Sequence, residues 1–242
     1  MRVDTDSETT VDEVADGIYR ISTPVRNSPG GFSFNQYLIV DDEPLLFHTG
    51  LRHQFSVVRA AVQALIPVET LRHISFSHYE ADECGSLNEF LSVAPKAAPL
   101  CGEIAAMVNI RDMADRAPRV AKEGEAITLG KRRVRWIATP HMPHAWECGL
   151  LFEETTRTLF CSDLFTQPGA THPPVTEGDI LGPSESFRAR FDYFSHTKNV
   201  APMIEKVAAA KPATLACMHG SAWRGDGAKL LRELGARLAG SA

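Results

Sequence analysis

His78, Glu80 and Asp82 stand at alternate positions in the stretch Phe76-Ser-His-Tyr-Glu-Ala-Asp-Glu-Cys-Gly-Ser-Leu-Asn-Glu-Phe-Leu91. An imidazole and two carboxylates, directly after an apolar run and directly before an amphipathic one, suit a strand that ends in a metal-gripping loop and then enters a helix. Three other apolar runs end in ligand-type residues: Pro143-His144-Ala-Trp146, Cys161-Ser-Asp163 and Cys217-Met-His219-Gly220. One histidine at a strand end is commonly a hydrogen-bonded structural residue. Four such ends in one chain point instead to a shared site presented by loops on a rigid scaffold. Mixed imidazole and carboxylate donors suit iron, which cycles between two oxidation states, whereas zinc does no redox chemistry. Manganese and zinc stand as alternatives. If anionic and close, Glu80, Asp82, Glu83 and Asp163 would together balance two divalent ions.

The elements that must hold these residues alternate along the chain. Gly17–Ser22, Phe34–Val40 and Pro44–Gly50 read as strands, with Asp41-Asp42 as a turn. Phe55–Leu65 has helical spacing and stops before Pro67. Leu71–Ser77 is a strand, Leu87–Leu91 lies in a helix, and a short strand near Leu100 precedes a helix over Ile104–Met113. Val134–Ala138 is a strand; Leu150–Phe152 and Thr158–Phe160 flank a polar turn and form a hairpin. In that turn Glu153 and Glu154 read as solvated charges. Gln167–Pro183 reads as a loop over a site. Helices follow at Phe187–His196 and Val200–Ala210, then a strand at Ala213–Cys217 and a helix at Ala228–Leu238. Interleaved strands and helices in both halves predict one layered α/β domain over 1–242, with residues 1–12 a polar, poorly ordered start.

The bulk numbers narrow the function. The 242 residues carry a net charge of −5, which gives no footprint for nucleic acid. Five cysteines without a CxxC pair indicate neither a disulfide framework nor a structural zinc knuckle, so a reducing cytoplasm is the expected compartment. The acidic start lacks the pattern of a signal peptide, and no apolar run is long enough to span a bilayer.

Taken together, the quoted motifs resemble the metallo-β-lactamase superfamily, and within it the di-iron branch: the catalytic domain of flavodiiron proteins and stand-alone oxygen-binding di-iron proteins. Thr139-Pro-His-Met-Pro-His144-Ala-Trp146, Leu159-Phe-Cys-Ser-Asp163, Met218-His219-Gly-Ser-Ala-Trp223, Asn35–Val40 and Pro44–Gly50 carry the likeness beside the first loop. It spans roughly residues 15 to 225. Hydrolase branches usually carry His-x-His-x-Asp-His, whereas His-x-Glu-x-Asp marks the di-iron branch. The resemblance implies an αββα four-layer sandwich and two iron ions. His78, Glu80 and His144 would hold one iron, Asp82 and His219 the other, and Asp163 would bridge.

Two positions depart from that pattern. Glu83 stands where the resemblance places a histidine on the second iron, and His48 stands where an aspartate is usual. Glu83 either enters the coordination shell, with His48 supporting its loop, or points to solvent beside a satisfied strand-end histidine. His141, His172 and Tyr193 are further candidates beside the metals, and Trp146 and Trp223 are expected as apolar walls. The resemblance implies binding and reduction of O2 or NO. The chain ends near Ala242 without a flavin module, so it is expected to hold no FMN and to take electrons from a rubredoxin-like protein or a flavoprotein. A homodimer is implied on the same ground. A metal-dependent hydrolase acting on an ester, lactone or thioester is the second reading, and a non-catalytic oxygen or redox sensor the third.

Overall fold

The computed structural model of the chain describes residues 8–27 and 30–239. Two seven-stranded sheets form its centre. In the first, β1 (Thr10–Ala15), β2 (Ile18–Val25), β3 (Phe32–Ile39), β4 (Leu45–Phe47), β5 (His73–Ser75), β6 (Ala98–Gly102) and β7 (Arg119–Ala121) lie side by side in chain order. Pairing is antiparallel from β1 to β4 and parallel from β4 to β7. The second contains β8 (Ala126–Thr128), β9 (Arg133–Ala138), β10 (Gly149–Glu153), β11 (Thr158–Ser162), β12 (Val175–Thr176), β13 (Thr214–Cys217) and β14 (Ala222–Arg224). Its spatial order is β12-β14-β13-β11-β10-β9-β8, and β13 runs parallel to β11.

Parallel neighbours need crossovers, and helices supply them. These are α1 (Phe55–Gln63), α2 (Ala81–Cys84), α3 (Leu87–Val93), α4 (Glu103–Ala105) and α5 (Arg111–Met113), the last two joined by a wide turn over Ala106–Ile110. The second half contributes α6 (Leu181–Phe191), α7 (Val200–Ala208) and α8 (Gly227–Ala239). Apolar residues on α1 recur at Val58, Ala61 and Val62, and on α7 at Met203, Ile204, Val207 and Ala208, so each helix turns one stripe to a sheet.

Strand alternation sorts the side chains into three cores. In β4, Leu46 joins α1 and α3, while Leu45 and Phe47 point to the other sheet. In β10 and β11, Leu150, Phe152, Leu159 and Cys161 face α7 and α8, while Leu151 and Phe160 meet Tyr37, Phe47 and Trp136 between the sheets. Strands buried on both faces read as unbroken apolar runs, as these do. The layers are therefore helix, sheet, sheet, helix, as the αββα expectation had it.

The structure corrects several local expectations. Thr10–Asp12, read as part of an irregular start, lie in β1, where Val11 and Val14 supply the buried alternation; residues 1–7 of that expectation lie outside the described residues. The helix expected over Phe187–His196 instead spans Leu181–Phe191 and ends at Asp192 in a left-handed conformation (φ 47°). Pro183, in a stretch whose composition suggests a loop, falls in the first turn of this helix, where N–H groups have no intrahelical partner in any case. The Gln167–Pro183 segment also contains β12.

Glu153 is not a solvated charge. It is fully buried and accepts hydrogen bonds from the Thr155 N–H (2.9 Å), the Thr156 N–H (2.7 Å) and the Thr156 hydroxyl (2.5 Å), closing the β10–β11 hairpin. Glu153→Ala leaves those donors unsatisfied. It is expected to lower stability by about 1–3 kcal/mol, read as a reduced urea midpoint at unchanged slope.

Candidate metal centre

The loops that matter leave one edge of the sandwich, where the parallel strands of both sheets end. His48 follows β4, Ser77 and His78 follow β5, Asp163 follows β11, and His219 follows β13. His48 (φ 64°) and Ser162 (φ 53°) are left-handed, so the chain turns sharply as it leaves β4 and β11. Cross-links pin this edge: the Asn35 N–H donates to the Met218 carbonyl (2.9 Å), and the Gly149 N–H donates to the Ser77 carbonyl (2.9 Å). The Tyr37 hydroxyl donates to the Cys217 carbonyl at 2.7 Å. His144 comes from the Thr139–Cys148 loop, which closes on itself through Thr139 N–H to the Cys148 carbonyl (2.8 Å) and His141 N–H to the Ala145 carbonyl (2.8 Å).

Six of the expected donors converge around the seventh, Asp163. Its Oδ2 lies 3.6 Å from His78 Nε2 and 3.3 Å from His144 Nε2, while its Oδ1 lies 3.2 Å from His219 Nε2. Glu80 Oε1 is 3.2 Å from His144 Nε2 and 3.8 Å from His78 Nε2. Asp82 Oδ2 is 3.7 Å from His219 Nε2, and Glu83 Oε2 is 3.8 Å from His78 Nε2. His78, Glu83, Asp163 and His219 are buried; Asp82 is half-buried, and the Glu80 side chain is 50% exposed.

Glu83 decides between its two readings by burial. It is 0% exposed, and neither carboxylate oxygen has a hydrogen-bond partner among the described residues. It does not point to solvent. Burial, then the charges of Asp163 and Asp82, push its pKa well above the ordinary carboxylate value. Burial works against ionisation of Asp163 too, but the close His219 imidazole and then those of His78 and His144 hold its pKa below the ordinary value. Hydrogen bonds to His144 and His78 hold Glu80 down at about 2. Burial disfavours a charged His78, yet Glu83, the Cys148 thiol, Glu80 and Asp163 outweigh it and raise its pKa.

These residues fit a metal pair. The Nε2 atoms of His78 and His144 are 2.9 Å apart, so either a proton on one ring or a metal cation must separate two otherwise opposed lone pairs. Asp163 Oδ1 and both oxygens of Glu83 are buried without hydrogen bonds, which is costly for anions that no cation neutralises. Two overlapping donor groups, His78–His144–Asp163 and His78–Glu80–Glu83, each bring their ligand atoms within 4.8 Å of one another.

Among the other candidates, Tyr193 reaches the site: its hydroxyl donates to the Asp163 backbone carbonyl (3.1 Å), and its ring lies edge-on to His144. His48 is buried beside Ser77, with its pKa lowered to about 3 chiefly by desolvation, and is neutral. Its side chain bonds to the His78 loop and not to Glu83. His141 is exposed and takes no part in the cluster distances. His172, a candidate for the open side of the metals or for plain surface exposure, has its Nε2 at 3.1 Å from the Gly169 carbonyl. Trp146 is 50% exposed and no wall of the site, and the Trp223 indole N–H donates to the Gly178 carbonyl.

The walls that sequence reasoning missed are phenylalanines. Phe32 and Phe34 pack against the His219 ring, at 4.3 and 5.4 Å between centroids, and Phe187 stacks on Phe32. Ser33 was missed as well: its carbonyl accepts from His219 Nδ1 at 2.8 Å.

A family model described as ODP family beta lactamase matches residues 32–220. The chain belongs to this family. The expected kinship with the di-iron branch of the metallo-β-lactamase fold therefore holds for this ODP-family chain. Among curated proteins, it is 23% identical to a nitric oxide reductase of Moorella thermoacetica, covering 90% of this chain and 59% of that protein. It is 24% identical to a rubredoxin-oxygen oxidoreductase of Megalodesulfovibrio gigas, covering 82% and 51%. The ODP-family chain thus spans between about half and three-fifths of the length of these relatives. Among solved structures, rubredoxin oxygen:oxidoreductase from Desulfovibrio gigas superposes with a TM-score of 0.80 at 21% identity, covering 95% of this chain and 62% of that one. A flavo di-iron protein variant from Thermotoga maritima gives 0.82 at 18% identity, covering 93% and 60%. At such identities the superpositions establish the fold.

An unpaired buried carboxylate disfavours the metal-free protein. Glu83→Leu is therefore expected to stabilise the metal-free chain by about 1–3 kcal/mol while lowering its bound metal. Thermal melts with and without chelator, beside elemental analysis, check both signs. A variant that melts lower when stripped of metal, and still takes up wild-type metal when loaded, would mean that Glu83 is structural.

Proposed function

We propose that this chain is a non-haem di-iron protein that binds and reduces O2 or NO, with electrons from a separate donor protein. One observation carries the reading. The two oxygens of Asp163 face different imidazoles, Oδ2 toward His78 and His144 and Oδ1 toward His219, as a carboxylate shared by two ions requires. His78, Glu80 and His144 would hold one iron, and Asp82 and His219 the other, with Asp163 between them. Glu83 would add a fourth carboxylate, so that the donors balance two divalent ions. When bound, the iron pair supplies open coordination positions and one electron per metal for a diatomic ligand.

The chain's own residues prepare that chemistry. Phe32, Phe34 and Phe187 cover the His219 side with apolar surface, which suits a small neutral gas and excludes water. Tyr193 ties the Asp163 backbone to the same wall through its hydroxyl and its edge contact with Phe187. Ser33 holds His219 by Nδ1, leaving Nε2 turned to Asp163. Hard carboxylate oxygens favour iron, with manganese or zinc as the alternatives. The names of the relatives, a nitric oxide reductase and a rubredoxin-oxygen oxidoreductase, support gas reduction with an external electron source, here a rubredoxin-like protein or a flavoprotein. All five cysteines are buried and free, in keeping with a reducing cytoplasm, where we place the protein as a homodimer. Among the described residues no helix is long and apolar enough to cross a membrane.

Anaerobic Fe2+ loading of the metal-free chain, followed by optical and Mössbauer spectra before and after O2 or NO, tests the reading. Two irons per chain with a spectral response to gas are expected, and Asp163→Asn should cut bound iron to half or less. Retention of zinc, no response to either gas, and turnover of an ester or lactone would instead establish the hydrolase.

A further inference from the structure

His78 Nε2 faces the donor cluster, and a second set of contacts leaves its other nitrogen. His78 Nδ1 lies 2.9 Å from Ser77 Oγ. Ser77 Oγ lies 3.1 Å from His48 Nε2 and 2.7 Å from Ser162 Oγ, and His48 Nδ1 lies 2.8 Å from Met218 Sδ. His48, Ser77, His78, Ser162 and Met218 are all buried, so water does not complete these bonds.

The direction of the chain follows from donor counting. The backbone N–H of Ser77 points at His48 Nε2 (3.4 Å), so that nitrogen is an acceptor and the His48 proton is on Nδ1, toward the Met218 thioether. With Nε2 unprotonated, the Ser77 hydroxyl donates its one proton to His48. Both lone pairs of Ser77 Oγ are then free, one for the Ser162 hydroxyl and one for His78. With the Ser77 hydroxyl turned to His48, the bond to His78 is donated by Nδ1–H, which leaves Nε2 as the lone pair facing Glu80, Glu83, Asp163 and His144. Turning the Ser77 or Ser162 hydroxyl to His78 Nδ1 instead would put the imidazole proton on Nε2, against the metal reading, and would leave His48 Nε2 only the longer contact from the Ser77 N–H.

We infer that His48 is a positioning residue for the metal centre: through Ser77 it fixes the tautomer and ring angle of His78, so that Nε2 is presented to the metal. The inference rests on the reading of His78 as a metal-binding residue. A metal-bound histidine normally donates its second N–H to a fixed acceptor, and loss of that acceptor weakens metal binding. Here the acceptor is a neutral hydroxyl that is itself held by an imidazole from another strand. That couples β4 to the loop after β5 at the level of one proton position.

Cobalt(II) binding to the full metal-free chain tests it, because the ion reports affinity by absorbance and shifts the N–H proton of a bound imidazole out of the protein NMR envelope. In the wild type, a slowly exchanging shifted N–H that is absent from His78→Ala identifies His78 Nδ1–H. His48→Leu and Ser77→Ala are each expected to weaken cobalt binding roughly 10–100-fold and to lose or rapidly exchange that signal. The double variant should be no worse than Ser77→Ala, since both act through one bond. His48→Gln, whose amide oxygen reaches the same place, should recover both readouts, which separates positioning from general loss of structure. Additive losses in the double variant, or a His48→Leu chain with wild-type affinity and an intact signal, overturn the inference. A wild-type chain that takes up no cobalt overturns the metal reading along with it.

Discussion

The interaction on which the structure depends is the one between Asp163 and its imidazoles. A carboxylate 5% exposed needs positive partners, and every ion-pair partner of Asp163 among the described residues is a histidine: His78, His144 and His219. Histidine can neutralise an acid or bind a metal but not both through one nitrogen. Ser77 holds His78 and Ser33 holds His219 from behind, which commits their Nε2 atoms to the cluster, and His144 Nε2 faces Asp163 and Glu80. The cluster is thus stable in two ways, by protons on imidazoles or by cations among them. Only the second also accommodates Glu83, which has no imidazole hydrogen bond of its own.

Keeping such a group together has a conformational cost that the rest of the fold offsets. His48 and Ser162 occupy left-handed backbone conformations, each worth about 1–2 kcal/mol against it. Both lie where a strand buried on two faces ends, so the strand cannot shift to relieve the turn without moving Phe47 or Phe160 out of the inter-sheet core. The register shift between Phe160 and Ser162 in the β11–β13 pair does the same work locally, re-aiming the chain just before Asp163. Rigidity of the two sheets is what lets four loops meet within hydrogen-bond distances.

The parts legible in the sequence were those whose residue types have few other uses. An apolar run ending in histidine or aspartate, found four times, placed His78, His144, Asp163 and His219 at one edge before any contact was known, and unbroken apolar strands announced layers on both sides. What stayed hidden was orientation. Phe32 and Phe34 look like ordinary strand residues, and it is cross-sheet bonds, from Asn35 to the Met218 carbonyl and from His219 to the Ser33 carbonyl, that bring their rings to His219. Serines at strand ends are too common to signal a network, so Ser33, Ser77 and Ser162 passed unnoticed. Trp146 was misplaced for the converse reason: being near a ligand in sequence says nothing about which way a side chain turns. Glu153 shows the same limit, since a charge in a hairpin turn can be buried by the turn itself.

Glu83 and His48 looked, as sequence, like an exchanged pair. The structure separates them. The N–H of Thr49, the residue after His48, donates to the Glu83 carbonyl at 2.8 Å, but the side chains point apart: Glu83 into the donor cluster and His48 behind His78. One adds negative charge where ions would sit; the other supplies a neutral acceptor behind a ligand. An acid in place of His48 would put a further negative charge behind His78 and strengthen it as a donor, whereas the neutral relay leaves that strengthening to Glu83, inside the cluster. Placing the charge inside would act directly on any ions held there and stabilise their higher oxidation state, a direction in keeping with the proposed iron rather than zinc.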